Sequence, residues 1–235
     1  MRRRLLLLGL TLWAILGASG CGRESSPRER RNEPAYEGTI VAVGDSLTAG
    51  LGVDEQFAYP ALLEKKLASG GFRFKVINAG ISGETSSGAL SRINWILTLK
   101  PEIVILETGA NDGLRGIDPG LMRKNLQQII RLLQERNVTI VLAGMQMVQN
   151  LGREYTDAFR KVYPEAARKF GILLIPFFLE GVAGKPALNQ ADGIHPSAEG
   201  YKVVAETVYP YVVKAIQQHR KGATPEAHAS AALRD

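Results

Sequence analysis

Five short apolar runs, separated by segments with helical spacing, constrain the fold of this 235-residue chain more than any other feature. The runs span residues 39–43, 72–77, 103–107, 138–143 and 172–175. Most of them lack the strict alternation of apolar and polar residues that marks a half-exposed strand, which indicates strands buried on both faces of a parallel sheet. Helices are predicted at 59–69, 86–99, 119–137, 156–170 and 197–217. The helix at 119–137 is the clearest, with one apolar face at Leu121, Leu126, Ile129, Ile130 and Leu133.

The alternation of strands and helices predicts one α/β domain over residues 38–217. Because crossovers between parallel strands are right-handed, few topologies remain. We expect a flavodoxin-like three-layer α/β/α sandwich with a five-stranded parallel sheet in the order 2-1-3-4-5. Pro210 is expected to end or kink the last helix near Tyr209. Residues 218–235 have few large apolar side chains and are predicted to be a flexible C-terminal tail.

The first 20 residues predict a secretory signal peptide. Three arginines at positions 2–4 precede an apolar stretch at 5–16, which is short for a transmembrane helix, and small residues follow. Cys21 comes next and is the only cysteine, so no intramolecular disulfide can form. Its position resembles the cleavage and lipidation site of bacterial lipoproteins, and the alternative is ordinary secretion with a free thiol. We expect a lipid-anchored protein on the periplasmic or extracellular face of a membrane.

The segment 21–37 is polar, mixed in charge and almost free of apolar residues, which predicts a disordered tether behind Cys21. The formal charge of +6 includes three arginines of the signal peptide, so the mature chain carries +3. The folded part shows no basic stripe. We therefore expect a monomer without a nucleic-acid partner.

A serine follows the first apolar run in the sequence Gly44-Asp45-Ser46. The carboxyl ends of parallel strands are where open α/β sheets bind ligands, so Ser46 is a candidate nucleophile. Asp45 or Ser46 also suits the N-cap of a following helix, and this second interpretation stays open at this point. The segment lacks the Gly-x-Ser-x-Gly elbow of the α/β-hydrolases, because position 48 is Thr.

The candidate base is found by elimination among three histidines. His219 and His228 fall in or beside the predicted tail, which leaves His195 in the folded part, with Asp192 three residues earlier. The order Ser, Asp, His is that of a serine hydrolase, in which the acid orients the base and the base activates the nucleophile. A metal site at Asp192 and His195 is the alternative, but it requires further ligands that the folded part does not offer as histidine or cysteine.

Four blocks resemble, in order and spacing, the signature blocks of the SGNH (GDSL-type) hydrolases. They are 44–50, 78–80, 109–116 and 192–196. Within that family the chain is similar to the branch of arylesterases, acyl-CoA thioesterase I and lysophospholipases. The resemblance covers nearly all of residues 38–217.

The resemblance implies a role for each signature residue. Ser46 is expected to be the nucleophile, His195 the general base and Asp192 its orienting acid. The oxyanion hole is expected to consist of the backbone N–H groups of Ser46 and Gly80 and the side-chain amide of Asn111. Such donors act on the negative charge that develops in acyl transfer. No cofactor and no metal are expected.

The expected activity is hydrolysis of carboxylic esters or thioesters that carry an acyl chain, through an acyl-serine. Phe57, Ile81, Met147, Phe178 and Ile194 are candidates for the lining of the acyl site, although for each of them a plain packing role is the favoured alternative. Val148 and Gln149 stand where relatives tend to carry a proline, so the preferred chain length is open. Two alternatives remain: a deacetylase of cell-wall or other polysaccharides with the same triad, and a non-catalytic lipoprotein that binds lipids or a protein.

Overall fold

A five-stranded parallel sheet forms the centre of the computed structural model, which describes residues 35–147 and 151–222. The strands are β1 Gly38–Gly44, β2 Phe74–Gly80, β3 Ile103–Glu107, β4 Thr139–Ala143 and β5 Leu173–Ile175. Their order is β2-β1-β3-β4-β5, and every neighbouring pair is parallel. The predicted fold class and strand order are therefore confirmed.

Eight α-helices flank this sheet within the described ranges. They are α1 Ser46–Ala49, α2 Tyr59–Ser69, α3 Ser86–Ser91, α4 Ile93–Thr98, α5 Ala110–Leu114, α6 Pro119–Gln134, α7 Arg153–Phe170 and α8 Ala198–Gly222. Helix α2 packs against α8, while α6 packs against α3, α4 and α7. The central strands β1, β3 and β4 are largely buried, and residues 103–106 of β3 have no solvent exposure. This burial explains the continuous apolar runs in the sequence.

Helix α6 begins with a capping residue and a proline. The Asp118 side chain accepts the Gly120 N–H at 2.9 Å, and Pro119 occupies the first turn, where its missing N–H has no cost. The buried face differs from the prediction by one residue. Leu121 is 43% exposed, and Met122 lies in the core instead.

The segment predicted as one helix at 86–99 is two helices that meet at Arg92. The Arg92 guanidinium donates from Nε and Nη2 to the two carboxylate oxygens of Glu84, both at 2.6 Å. Both side chains are largely buried. This ion pair therefore fixes the junction of α3 and α4, at Arg92, against Glu84 in the loop after β2.

Helix α8 continues through Pro210 as far as Gly222, so of the two predicted outcomes, an end or a kink near Tyr209, the end is wrong. Val208 before the proline and Val212 and Ile216 after it are all buried on the same helix, and this packing outweighs the hydrogen bond that the proline removes. Residues 218–222 of the predicted tail are thus helical, and residues 223–235 lie outside the described ranges.

Strand β2 begins and ends later than predicted. Residues 70–73 form the turn after α2, where Phe72 N–H donates to Leu67 O at 2.9 Å. The parallel register pairs Gly44 with Gly80, so β2 includes the segment 78–80 that was predicted to be loop. The loop that follows β2 at the carboxyl edge of the sheet therefore starts at Ile81.

The signal peptide, Cys21 and the tether up to residue 34 lie outside the described residues, as do 148–150. In the two stretches that the structure covers, no helix is both long enough and apolar enough to span a membrane.

Candidate active site

Three side chains from distant parts of the chain form a hydrogen-bonded series at the carboxyl edge of the sheet. Ser46 Oγ lies 2.8 Å from His195 Nε2, although 149 residues separate them. His195 Nδ1 lies 2.7 Å from Asp192 Oδ2. The structure thus brings together the nucleophile, base and acid that the sequence analysis proposed.

Ser46 is presented by a tight turn between β1 and α1. The Asp45 side chain caps α1 by accepting the Leu47 N–H at 3.0 Å, which leaves the Ser46 hydroxyl facing His195. The capping function and the catalytic function therefore belong to two adjacent residues. Ser46 N–H lies in the first turn of α1, where backbone N–H groups have no partner within the helix.

Position 44 requires glycine because the side chains of Thr48 and Glu107 approach its backbone closely. A Cβ at this position would lie 2.1 Å from Thr48 Oγ1 and 2.4 Å from Glu107 Oε2. Its φ is not positive, so the left-handed conformation is not the reason for glycine here. The absence of a side chain lets Glu107 and Thr48 pack directly below the turn that carries Ser46.

His195 is held by a turn that Gln190 organises. Gln190 N–H donates to His195 O at 2.8 Å, and Gly193, at φ 74°, allows the chain to reverse between them. The Gln190 side chain donates to Leu51 O at 2.7 Å and to Pro196 O at 2.9 Å. This side chain therefore ties the histidine turn to the loop that follows α1, near the nucleophile.

Asp192 is an ionised hydrogen-bond acceptor at neutral pH. The backbone N–H groups of His195 and Ile194 both donate to its Oδ1 at 3.0 Å. These bonds, with the imidazole on Oδ2, lower its pKa to about 2. A carboxylate only accepts, so His195 Nδ1 carries the proton toward Asp192 and Nε2 is free to accept the Ser46 proton.

Asn111 lies on α5 beside the nucleophile. Its amide Nδ2 donates to Asp45 Oδ2 and to Glu84 O, both at 3.0 Å. The adjacent Asp112 is fully buried and accepts the backbone N–H and hydroxyl of Ser86 at 2.7 and 2.6 Å. Asp112 thus anchors the start of α3, while Asn111 faces the cavity.

The structure does not place Gly80 at the predicted oxyanion position. Its N–H donates to Asn78 Oδ1 at 3.0 Å, and it is not among the residues that line the cavity. A Cβ on Gly80 would lie 2.2 Å from Ala49 N, so this glycine allows β2 to pack on α1. The prediction failed because β2 extends two residues past Asn78, which carries Gly80 away from the loop.

Gly83 lines the cavity instead. It has φ 79°, and its carbonyl accepts a hydrogen bond from the Arg115 guanidinium at 2.8 Å. Its N–H makes no hydrogen bond to another described residue. The sequence signal for it was a second glycine three residues after Gly80, beyond the paired end of β2.

A cavity of about 460 Å³ opens over Ser46, His195 and Asn111. Its other walls are largely apolar and include Leu47, Leu51, Leu114, Met145, Met147, Phe177, Leu179 and Ile194. Of the side chains predicted to form an acyl site, Met147 and Ile194 line this cavity. Phe178 is instead buried in the core against Tyr59, and Phe57 and Ile81 are exposed outside the cavity wall.

The predicted Val148 and Gln149 fall outside the described residues. Among the residues that are described, no group of three or more His, Cys, Asp or Glu side chains is arranged to hold a metal ion.

A parallel α/β sheet that carries serine, histidine and aspartate in hydrogen-bonded series defines a serine hydrolase. The profile of the GDSL-like Lipase/Acylhydrolase family matches residues 42–203. The chain belongs to this family, the SGNH hydrolases, and is a serine hydrolase that acts on ester bonds.

Two curated relatives and one solved structure support this assignment. The chain is 42% identical to Esterase TesA of Pseudomonas aeruginosa over 173 residues, which cover 73% of this chain and 86% of that protein. It is 39% identical to Thioesterase 1/protease 1/lysophospholipase L1 of Escherichia coli K12 over 169 residues, covering 72% and 80%. A crystal structure of TesA superposes with a TM-score of 0.73 at 40% identity, covering 75% of this chain and 99% of that one.

Proposed function

We propose that the protein cleaves carboxylic esters or thioesters of an acyl chain through an acyl-serine on Ser46. The observation that carries the proposal is the 2.8 Å contact between Ser46 Oγ and His195 Nε2, with Asp192 behind the imidazole. His195 Nε2 accepts the proton as Ser46 Oγ attacks the carbonyl carbon. The tetrahedral intermediate collapses, the alcohol or thiol leaves with the proton from His195, and the acyl group stays on Ser46.

The second half of the reaction uses the same base. A water molecule gives its proton to His195 Nε2 and attacks the acyl-serine carbonyl. The intermediate then releases the carboxylic acid and returns the proton to Ser46 Oγ. Because Asp192 remains ionised, it stabilises the imidazolium that forms in both halves.

Three donors are available for the oxyanion: the backbone N–H groups of Ser46 and Gly83 and the side-chain amide of Asn111. The backbone N–H groups of Ser46 and Gly83 are candidate donors because neither has a hydrogen-bond partner among the described residues. Asn111 is a candidate because it lies in the cavity wall. One N–H of Asn111 now faces Glu84 O at 3.0 Å and would turn to the substrate oxygen. The other stays on Asp45, which holds the amide in place.

An acyl chain suits the apolar walls of the cavity better than a small polar acetyl sugar does. The relatives' names, esterase, thioesterase and lysophospholipase, also denote acyl esters and thioesters. We therefore place acyl esters ahead of a polysaccharide O-acetyl group as substrate, and ahead of a role in binding without catalysis.

A chain-length series of p-nitrophenyl esters, from acetate to palmitate, tests this proposal. We expect kcat/KM to be highest for a chain longer than butyrate, and Ser46→Ala to abolish turnover of every ester. A strong preference for acetate would favour the deacetylase. Equal turnover by Ser46→Ala would exclude the acyl-serine mechanism.

The cellular location is part of the proposal and rests on the sequence. We propose that the mature chain begins at a lipid-modified Cys21 and that residues 21–37 tether the enzyme, as a monomer, to a membrane on its periplasmic or extracellular face. Multiple acyl chains on one cysteine give stable rather than transient anchoring. Anchoring would raise the local concentration of ester substrates in the bilayer without any new contact.

A further inference from the structure

Glu107, the last residue of β3, lies directly below the turn that carries Ser46 and is 1% exposed. Its Oε2 accepts the Asp45 N–H at 3.1 Å and the Thr48 hydroxyl at 3.0 Å. Gly44 lacks a side chain at the point where Glu107 Oε2 approaches. A carboxyl group thus forms the floor of the nucleophile turn.

The second carboxyl oxygen of Glu107 has no conventional donor. Oε1 is fully buried and accepts no hydrogen bond from a described residue, and no lysine, arginine or histidine in the described ranges pairs with Glu107. Asp45 adjoins this group: its backbone N–H donates to Glu107 Oε2 at 3.1 Å, and Asp45 is itself only 1% exposed. Two carboxyl groups buried side by side without a cation disfavour each other's ionisation.

The surroundings of Glu107 supply no positive charge. The Tyr59 hydroxyl on α2 lies 3.5 Å from the Thr48 hydroxyl, and the Tyr163 hydroxyl on α7 donates to Thr108 O at 2.9 Å. These buried phenols and that of Tyr201 on α8 are uncharged neighbours that interact electrostatically with Glu107, and Asp45 adds a negative one. Burial, with the Asp45 charge, raises the pKa of Glu107 well above its ordinary value. Burial also raises the pKa of Asp45, but the Leu47 N–H, Glu107 and the Asn111 amide oppose this change by hydrogen bonding to its carboxylate.

We propose that Glu107 is a neutral carboxylic acid in the active enzyme, that its O–H donates to the Asp45 carboxylate, and that this contact positions Ser46 and Asn111. Asp45 then keeps the charge with which it caps α1 and holds the Asn111 amide, at 3.0 Å in each case. Glu107 is a positioning residue, since it does not line the cavity and its hydrogen bonds are to Asp45 and Thr48 rather than to Ser46, Asp192 or His195. The expected effect on kcat rests on the proposed Ser46 mechanism, whereas the protonation state of Glu107 does not.

The proposal fixes the sign of a pH effect. As pH rises toward the raised pKa of Glu107, the proton shared with Asp45 is lost and two buried carboxylates repel each other. The donor geometry of the neutral acid is therefore kept until the pH reaches the raised pKa of Glu107. The stability that this raised pKa contributes is full below the ordinary pKa of a glutamate and declines as pH rises from there through the raised value. A glutamine at position 107 cannot ionise, so it should remove this decline.

The test compares Glu107→Gln with Glu107→Ala, with Glu206→Gln as a matched control on α8. Glu206 is 65% exposed and pairs with Lys66 at 2.7 Å, away from the cavity. Glutamine keeps the acceptor for Asp45 N–H and Thr48, and its amide N–H replaces the acid O–H. We expect Glu107→Gln to keep at least a third of the wild-type kcat at neutral pH, and Glu107→Ala to lose about 30-fold or more with little change in KM.

Infrared spectroscopy of the folded, ligand-free protein tests the protonation state without any turnover. We expect a carbonyl stretch of a protonated carboxylic acid at neutral pH that is absent from Glu107→Gln and present in Glu206→Gln. Lack of that band, or a folded Glu107→Gln that loses as much kcat as Glu107→Ala, would overturn the proposal. If no variant had Ser46-dependent activity, the proposed mechanism would fail while the infrared result still decided the state of Glu107.

Discussion

Asn111 Nδ2 donates to Asp45 Oδ2 at 3.0 Å, and this bond joins α5, which follows β3, to the turn after β1. Asp45 is at the same time the cap of α1, through the Leu47 N–H. One carboxylate therefore orients both the helix that presents Ser46 and the amide proposed as an oxyanion donor. Loss of either contact should disturb the transition state more than the ground state.

Asn111→Ala is expected to lower kcat by about 10²-fold or more with little change in KM, because an oxyanion donor acts mainly on the transition state. Asn111→Asp, nearly isosteric but without the N–H groups, should be at least as slow. Steady-state kinetics on one good p-nitrophenyl ester measures both. A large rise in KM at unchanged kcat would make Asn111 a ground-state binding residue instead.

Gly80→Ala is expected to destabilise the fold by about 1–3 kcal/mol or more, because backbone atoms rather than a flexible side chain occupy the space. The added Cβ would lie 2.2 Å from Ala49 N. Gly222→Ala is the control, since a Cβ at Gly222 meets nothing within 4 Å and its φ is not positive. Chemical denaturation gives the two values. Full stability of Gly80→Ala with a large loss of kcat would return Gly80 to the oxyanion hole.

Asp192→Asn should alter the pH dependence of stability in a defined direction. Hydrogen bonds from His195 and Ile194 lower the pKa of Asp192 from 3.8 to about 2, so its stabilising contribution is present above the unfolded value and is lost as pH falls toward 2. The melting temperature of the wild type should exceed that of Asp192→Asn near pH 6, and the difference should shrink below about pH 4. A difference that grows in acid would contradict the assignment.

The mature N-terminus decides the anchoring proposal. Mass spectrometry of the protein from membranes should find a chain that begins at Cys21 with acyl modification. Cys21→Ser should move the enzyme out of the membrane fraction while kcat on short soluble esters stays unchanged. An unmodified Cys21, or a mature chain that begins elsewhere, would leave an ordinary secreted esterase.

The strand order could be predicted because the central strands are buried on both faces, and such strands are written as apolar runs in the sequence. The end of α8 could not, because local propensity at Pro210 is outweighed by the packing of Val208, Val212 and Ile216 in the folded protein. Intrinsic propensity gives way to tertiary context in this manner.

The triad could be predicted because its residue types are chemically distinctive and only one histidine remained in the folded part. Gln190 and Glu107 could not, since each acts through a partner that is far away in sequence. Gln190 reaches Leu51 across 139 residues, and Glu107 lies 62 residues from Asp45 within an apolar run. Gly83, rather than Gly80, lines the cavity because of the register and length of β2, and the spacing of glycines in the sequence does not determine these.

Covalent labelling of Ser46 tests the account most directly. The intact protein would be treated with a p-nitrophenyl alkylphosphonate, which mimics the tetrahedral intermediate, and the adduct located by peptide mass spectrometry. We expect one adduct, on Ser46, with no labelling of Ser46→Ala and labelling slowed at least 10²-fold in His195→Ala, since the Nε2 that lies 2.8 Å from Ser46 Oγ is then absent. An adduct on another residue, or equal labelling rates with and without His195, would contradict the assignment of Ser46 and His195 as nucleophile and base.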